Sequence, residues 1–332
     1  MRYRVTLIQG DGIGPEVTGA TTRILSAAGA PIDWEPAPAG GVAMEQYGVP
    51  MPQVTLDAIK KNRLGLKGPL MTPVGKGFRS ANVALRQELD LYVGYRPVRS
   101  LPGVKSPYRD VNLVVLRENT EDLYAGIEHE ISPGVVMNLK VSTRRAGERI
   151  SRWSFENMRY TGRRRIHCCH KAPVMPLADG AFLDAYRAVA AEYPYIESLD
   201  LPVDNLAFEL AQDPTRFDVL LLQNLYGDIL SDLAAGLVGG LGVVPGANIG
   251  DQVAVFEAVH GTAPDIAGKG ISNPLAVLMS ALLMLEYVGE HKVKARIDRA
   301  VWDVLEEGRH LTGDLGGKAG TAEFTEAIID KL

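Results

Sequence analysis

Between Val219 and Leu237 the hydrophobic pattern of this chain changes period. Val219-Leu-Leu-Leu222 is an uninterrupted apolar run of strand length, whereas Leu230, Leu233, Ala234 and Leu237 recur at helical spacing. A buried strand therefore hands over to a helix within a few residues. The same alternation runs from end to end. Strand patterns at Tyr3–Gln9, Leu64–Lys67, Val111–Leu116, Arg165–His170, Ser198–Val203 and Val253–Glu257 are interleaved with helix patterns. The helices are expected at Pro15–Ala28, Gln53–Lys61, Ser80–Leu91, Arg144–Arg159, Leu177–Ala191 and from about Leu275 and Val293. Such interleaving predicts an α/β architecture. The 332 residues exceed what one hydrophobic core usually supports, which favours two domains.

Charge and composition narrow the classes of partner. A net charge of −5 argues against wholesale nucleic-acid binding, so an anionic ligand has to be met by a local group of arginines. The longest apolar stretches, Leu233–Val244 and Leu275–Leu285, are too short to span a bilayer. Met1 leads directly into a strand with no charged-then-apolar leader, and a cytoplasmic location is expected. The two cysteines, Cys168 and Cys169, are adjacent, which leaves no disulfide framework and fits a reducing compartment. His167-Cys-Cys-His170 has the residue types of a zinc site, but successive side chains on a strand face opposite ways, so zinc is not expected. Arg163-Arg164-Arg165 is most simply a solvated turn. Gly134–Ser142 alternates like a β-arm suited to pairing with a partner chain. The glycines of Gly236-Leu-Val-Gly-Gly-Leu-Gly242 are best explained by close packing against another backbone.

Chemistry concentrates at the strand-to-helix junction. Asp228 and Asp232, four apart, share one helix face, and carboxylates held that close repel each other unless a proton or a cation lies between them. Oxygen donors of this kind suit Mg²⁺ or Mn²⁺. A helix-capping role for Asp228 is the plainer alternative. Arginines cluster in the stretch that follows a Gly/Pro-rich loop: Arg86 on a helix, Arg96 in Tyr95-Arg-Pro97, and Arg117 directly off the strand Val111–Leu116. Three converging guanidinium forks would suit a di- or tricarboxylate. Gly10-Asp-Gly-Ile-Gly14 opens like a dinucleotide turn, yet G-x-G-x-G followed by Pro15 is not the Rossmann fingerprint. It is read as a tight strand-to-helix turn lining a ligand cleft.

Over essentially its full length the chain resembles the β-decarboxylating dehydrogenases, the isocitrate and isopropylmalate dehydrogenase family. The segments that carry the resemblance are Gly10–Glu16, Gly68–Gly75, Val83–Tyr92, Arg117–His129, His170-Lys-Ala172, Asn224–Gly240 and His260-Gly-Thr-Ala-Pro264. The resemblance implies a large α/β domain built from residues 1–99 and 239–332, which binds the dinucleotide. It also implies a smaller α/β domain, 100–238, with the dimer contacts, the metal and catalytic residues and a β-arm at about 134–142.

Within this family, Ser80 and Asn82 ahead of Arg86 are similar to the isocitrate branch, where they would hold the third carboxylate of a tricarboxylate while Arg86, Arg96 and Arg117 clamp the substrate. The family mechanism implies that Asp228 and Asp232, with Asp204 of the other subunit of a homodimer, bind Mg²⁺ or Mn²⁺. Lys171, also from the other subunit, would take the hydroxyl proton, and Tyr124 would protonate C3 after decarboxylation. Thr72 and His260-Gly261-Thr262-Ala263-Pro264 would cradle the dinucleotide, Asp265 and Ile266 would meet the adenosine ribose, and Asn273 the adenine. Relatives that use NADP⁺ are expected to carry Lys-Tyr at 265–266, so NAD⁺ is expected here. Homoisocitrate is the alternative substrate, and a non-catalytic regulatory subunit is an alternative from another class. Pro173, Pro176, Val93-Gly94-Tyr95 and Leu206–Leu210 depart from the family pattern.

Overall fold

Each apolar strand run pairs into a sheet, and the amphipathic segments between them cover it. A computed structural model describes residues 2–71 and 80–332, so Thr72 lies outside the described residues. The first stretch holds β1 (Tyr3–Ile8), α1 (Gly14–Ala27), β2 (Ile32–Pro36), α2 (Gly41–Tyr47), α3 (Gln53–Asn62), β3 (Leu64–Lys67) and α4 (Ala81–Glu88). Next come β4 (Val93–Arg99), β5 (Asn112–Glu118), β6 (Glu128–Ser132), β7 (Val135–Asn138), α5 (Arg144–Thr161), β8 (Arg165–His170) and α6 (Ala178–Ala190). The chain closes with β9 (Glu197–Pro202), α7 (Val203–Gln212), β10 (Val219–Leu222), α8 (Asn224–Leu237), β11 (Pro245–Ile249), β12 (Ala254–Ala258), α9 (Leu275–Tyr287), α10 (His291–Glu307) and α11 (Thr321–Ile329).

Ten strands form one mixed sheet in the order β2-β1-β3-β12-β11-β4-β5-β10-β8-β9. Neighbours are parallel at both ends of this row, while β12, β11, β4 and β5 pair antiparallel in its middle. The register sets the site. Tyr95 pairs with Leu116 on one side and Ala247 on the other, and Ala247 with Phe256. The sequence neighbours Arg96, Arg117, Asn248 and Glu257 therefore turn to the opposite face together. Strand β4 contains Pro97, which argues against a central strand. The conflict is resolved because β11 pairs only with Val93–Tyr95, so β4 has β5 as its one partner at Pro97.

Several expectations are corrected. The helix expected over Ser80–Leu91 stops at Glu88, because Asp90 takes a positive φ of 46° and Leu91 N–H turns back to the Arg86 carbonyl at 2.8 Å. Arg163 is no solvated side chain: it pairs with Asp218 and donates to the Asn112 and Asp218 carbonyls, stapling β5 to the turn before β10. In the segment 236–242 the close approaches are to side chains, a Cβ on Gly239 standing 2.5 Å from Val104 Cγ1 and one on Gly242 3.0 Å from Asp314 Oδ2, while one on Gly236 or Gly240 would meet no atom of this chain within 4 Å. The stronger reason is backbone conformation, with φ of +121° at Gly239 and +115° at Gly240, where α8 has just ended. The β-arm is a hairpin of β6 and β7 that begins earlier than its alternation suggested. All of its residues are exposed, Ile131 at 65% and Val136 at 64%.

Candidate active site

A cavity of about 270 Å³ opens on the face of the sheet that carries Arg96 and Arg117. It is lined by Ser80, Asn82, Arg86, Arg96, Arg117, Tyr124 and Asp228, residues brought together from α4, β4, β5, the turn at 123–125 and α8. Arg117 is 1% exposed and donates from Nε to Asn224 Oδ1 at 2.8 Å and from Nη1 to Asp228. Its guanidinium also lies 4.9 Å from the Tyr124 ring centre. Arg96 reaches Ser231, Asp228 at 3.7 Å and Asp232 at 3.4 Å. Burial and the neighbouring Arg86 and Arg96 charges push Arg117 below the usual arginine value. Three buried cations crowd one cavity, and an anionic ligand is what relieves them. Two atoms point the same way. Arg117 Nη2 and Asn82 Oδ1 are buried with no hydrogen-bond partner among the described residues.

Sequence reasoning missed the floor of the cavity, where Lys67 meets Glu257 at 2.5 Å and Glu257 meets Arg86 at 3.3 Å. Asn248 accepts from Arg86 at 3.0 Å and donates to Glu257 at 2.6 Å. Burial raises the Glu257 carboxyl, but the Lys67 and Arg86 charges overcome it and hold it well below the carboxylate range. The signal was available: Lys67 and Glu257 are charged residues ending apolar strands, as Arg117 is.

Helix α8 presents the acids. Its first turn is held by Asp122, whose Oδ2 accepts from Leu225 N–H at 2.8 Å, and by Asn224, which donates to the Glu121 carbonyl at 3.0 Å. Tyr124 donates to Asp228 Oδ2 at 2.5 Å. Burial raises the Asp228 carboxyl, yet the Arg117 charge and the Tyr124 hydroxyl bring it below the ordinary value. Asp232 moves the other way, raised by burial and by the Asp228 charge in spite of Arg96. Two hard oxygen donors on one helix face fit a small divalent cation. Among the described residues no third His, Cys, Asp or Glu completes such a group, so further donors have to come from substrate, water or a second chain.

Gly227 lets the guanidinium in. A Cβ there would stand 2.6 Å from Arg117 Cγ and 2.7 Å from its Cβ, atoms too near the backbone to move aside. Alanine would gain about 1 kcal/mol of helix propensity, but overpacking costs about 1–3 kcal/mol. Gly227→Ala is thus expected to lose stability in a thermal melt, despite being helix-favouring, and to weaken binding of any carboxylate ligand by about tenfold.

Lys171 and Asp204 do not line this cavity. They pair with each other at 2.6 Å, Lys171 on the turn after β8 and Asp204 in the first turn of α7. A second pocket, about 530 Å³, shares His260 and Gly261 with the first and is lined further by Ala263, Ile266 and Asn273, together with Ile13, Asp314 and Lys318. Its walls are tied by α1 and the turn before it. Ile13 N–H donates to the Thr262 carbonyl at 3.0 Å, and a Cβ on Gly12 would collide with that carbonyl, so glycine is required there. Glu16 accepts from Ser272 N–H at 2.8 Å and from Thr321, fastening the loop of 260–273. Asn273 is buried, donates to Asp314 at 2.9 Å and accepts from Leu275 N–H at 2.9 Å. Pro264 and Asp265 are exposed and do not line this pocket, although their sequence neighbours Ala263 and Ile266 do. His260 Nε2 is buried without a partner among the described residues, which suits a ligand in this groove.

Comparison with known proteins agrees with this geometry. The family model for isocitrate/isopropylmalate dehydrogenase matches residues 4–328. A probable isocitrate dehydrogenase [NAD] subunit alpha, mitochondrial, of Drosophila melanogaster is 48% identical over 329 residues, 99% of this chain and 87% of that protein. An isocitrate dehydrogenase [NADP] of Thermus thermophilus is 49% identical over 337 residues, 100% of this chain and 68% of that one. The crystal structure of isocitrate dehydrogenase from Methylococcus capsulatus superposes with a TM-score of 0.96 at 48% identity, covering 99% of each chain. With its mixed α/β sheet, paired carboxylates on α8 and arginine-lined cavity, the chain belongs to the isocitrate/isopropylmalate dehydrogenase family.

Proposed function

We propose that this protein oxidatively decarboxylates isocitrate to 2-oxoglutarate and CO₂, reducing NAD⁺. The observation that carries the reading is the convergence of Arg86, Arg96 and Arg117 with Ser80 and Asn82 on one cavity, where an Arg117 nitrogen and an Asn82 oxygen have no partner among the described residues. Arginines match carboxylates in bidentate fashion, and the polar groups of Ser80 and Asn82 suit a third carboxylate where an apolar substrate would prefer apolar side chains. Asp228 and Asp232, with Asp204 of a second copy, would hold a divalent cation, Mg²⁺ or Mn²⁺, which when bound would polarise the substrate's C2 oxygen and stabilise the negative charge of decarboxylation.

The chain's own residues do the rest. The arginines fix the carboxylates and so align C2 and C3. Lys171 of a second copy accepts the C2 hydroxyl proton as hydride leaves for the nicotinamide. Tyr124, already a donor to Asp228, delivers a proton to C3. Its pKa is raised by burial and by that hydrogen bond, which keeps it protonated for the task. The second copy is a homodimer partner, and the exposed apolar hairpin β6–β7 offers it a contact surface. Relatives named as subunit alpha make a heteromeric assembly the alternative, which mass measurement on the purified chain decides.

Steady-state turnover with Mn²⁺ and isocitrate, homoisocitrate or isopropylmalate tests the substrate. Isocitrate should be preferred, and no NAD⁺ reduction with isocitrate by the chain alone would favour the non-catalytic subunit. The dinucleotide is the sharper choice. Asp265, exposed next to the pocket-lining Ile266, would repel a 2′-phosphate and accept from ribose hydroxyls. NAD⁺ is expected to exceed NADP⁺ in kcat/KM by about 100-fold, and Asp265→Lys to narrow that ratio by about tenfold or more. Equal use of both dinucleotides by the unmodified protein refutes the role of Asp265.

A further inference from the structure

Lys171 rides on a turn whose backbone donors are all accounted for. Its own N–H donates to Asp179 Oδ2 at 2.7 Å, and its carbonyl accepts from Val174 N–H at 2.9 Å and Met175 N–H at 3.0 Å. Pro173 has no N–H. The remaining donor, Ala172 N–H, goes to His170 Nδ1 at 3.0 Å. That bond fixes the imidazole tautomer, because Nδ1 must offer its lone pair and the proton must lie on Nε2. Nε2 faces Asp200 Oδ2 at 3.4 Å, and Asp200 Oδ1 is held by Arg187 at 2.9 Å. His170 itself ends β8 and is 4% exposed.

We propose that His170 is a positioning residue for Lys171. The neutral ring, aimed by Asp200 through Nε2, uses Nδ1 to hold the Ala172 amide and thereby sets the direction in which Lys171 leaves the sheet. This rests on the reading of Lys171 as the proton acceptor. The alternative is that His170 merely anchors β8 to β9 through Asp200. The two roles use different ring nitrogens, so they can be separated. Asparagine places an acceptor near Nδ1, whereas glutamine reaches the Nε2 position and leaves the Ala172 amide without its partner.

Steady-state kinetics of His170→Asn and His170→Gln, each compared with His170→Ala, test the proposal. His170→Gln and His170→Ala are expected to lower kcat by about 10- to 100-fold with KM for isocitrate changed by less than about threefold, and His170→Asn to keep kcat within about threefold. Should His170→Gln fail to accumulate as folded protein, His170→Ala serves in its place. Loss of kcat by His170→Asn equal to that of the other two, or no loss in any, overturns the proposal. Mixed dimers separate this from the Lys171 reading. His170→Gln mixed with Tyr124→Phe should regain activity, because one site then combines an intact tyrosine with an intact turn, while His170→Gln mixed with Lys171→Met should not. The reverse pattern refutes the assignment of His170 to the Lys171 turn. If Lys171→Met and Tyr124→Phe themselves fail to complement, the shared-site reading falls, and the ranking of the three His170 variants still decides the role of His170.

Discussion

Asp228→Asn is expected to lower kcat/KM for isocitrate by about 1000-fold while leaving a folded protein. The amide can still accept from Tyr124, but it carries no charge for a cation and none for Arg117 or Arg96. Asp228 is engaged by Arg117, by Tyr124 at 2.5 Å and by Arg96 at 3.7 Å. A divalent ion has to compete with these partners. A substrate carboxylate entering the cavity draws the guanidinium groups away and frees Asp228, so substrate and cation should bind synergistically. Mn²⁺ titrations with and without a tricarboxylate analogue measure this. The unmodified protein should bind Mn²⁺ about tenfold or more tightly with the analogue present, and Asp228→Asn should lose that gain. Activity of the variant within tenfold of the unmodified protein would remove Asp228 from the cation site.

Much of this site was legible because its residues break a local pattern. Arg117 ends an apolar strand, Asp228 and Asp232 repeat at helical spacing, and the polar pair Ser80 and Asn82 precedes Arg86 on one helix turn. Taken singly, most of these have an ordinary explanation such as a helix cap or a surface ion pair, and it is the family spacing that joins them into a site. Lys67 and Glu257 also stand at the ends of apolar strands, but that they meet each other and Asn248 depends on β3, β12 and β11 lying side by side, a strand order that only the folded sheet reveals. Strand β4 escaped for a local reason: Gly94 and Pro97 are unfavourable strand residues, and the one-sided pairing at Pro97 is what lets the segment be a strand. Asp11 and Glu16 look like the acidic start of a helix. In three dimensions they are clamps, Asp11 accepting from Gly41 and Met71 N–H at 2.8 and 2.7 Å, and Glu16 fastening the loop around Ser272.

Lys171→Met and Tyr124→Phe are each expected to lower kcat by at least about 100-fold, and a mixture of the two to recover activity. Within one chain Tyr124 lines the arginine cavity while Lys171 pairs with Asp204 outside it, so a single copy does not assemble the acid and the base in one place. If a second copy supplies Lys171 and Asp204 together, a heterodimer of the two variants contains one site with both residues whole and one with neither. Equal mixing with random reassociation makes about half of the dimers heterodimers, so activity should return to about a quarter of the unmodified level. Mixing without subunit exchange serves as the control and should recover nothing. If Asp204 of the second copy ligates the cation, recovery should also depend on added Mn²⁺, because Asp204 travels with Lys171, to which it is paired at 2.6 Å. Complete absence of recovery after verified exchange would mean that Lys171 serves its own chain's cavity, and the division of labour between copies would have to be abandoned.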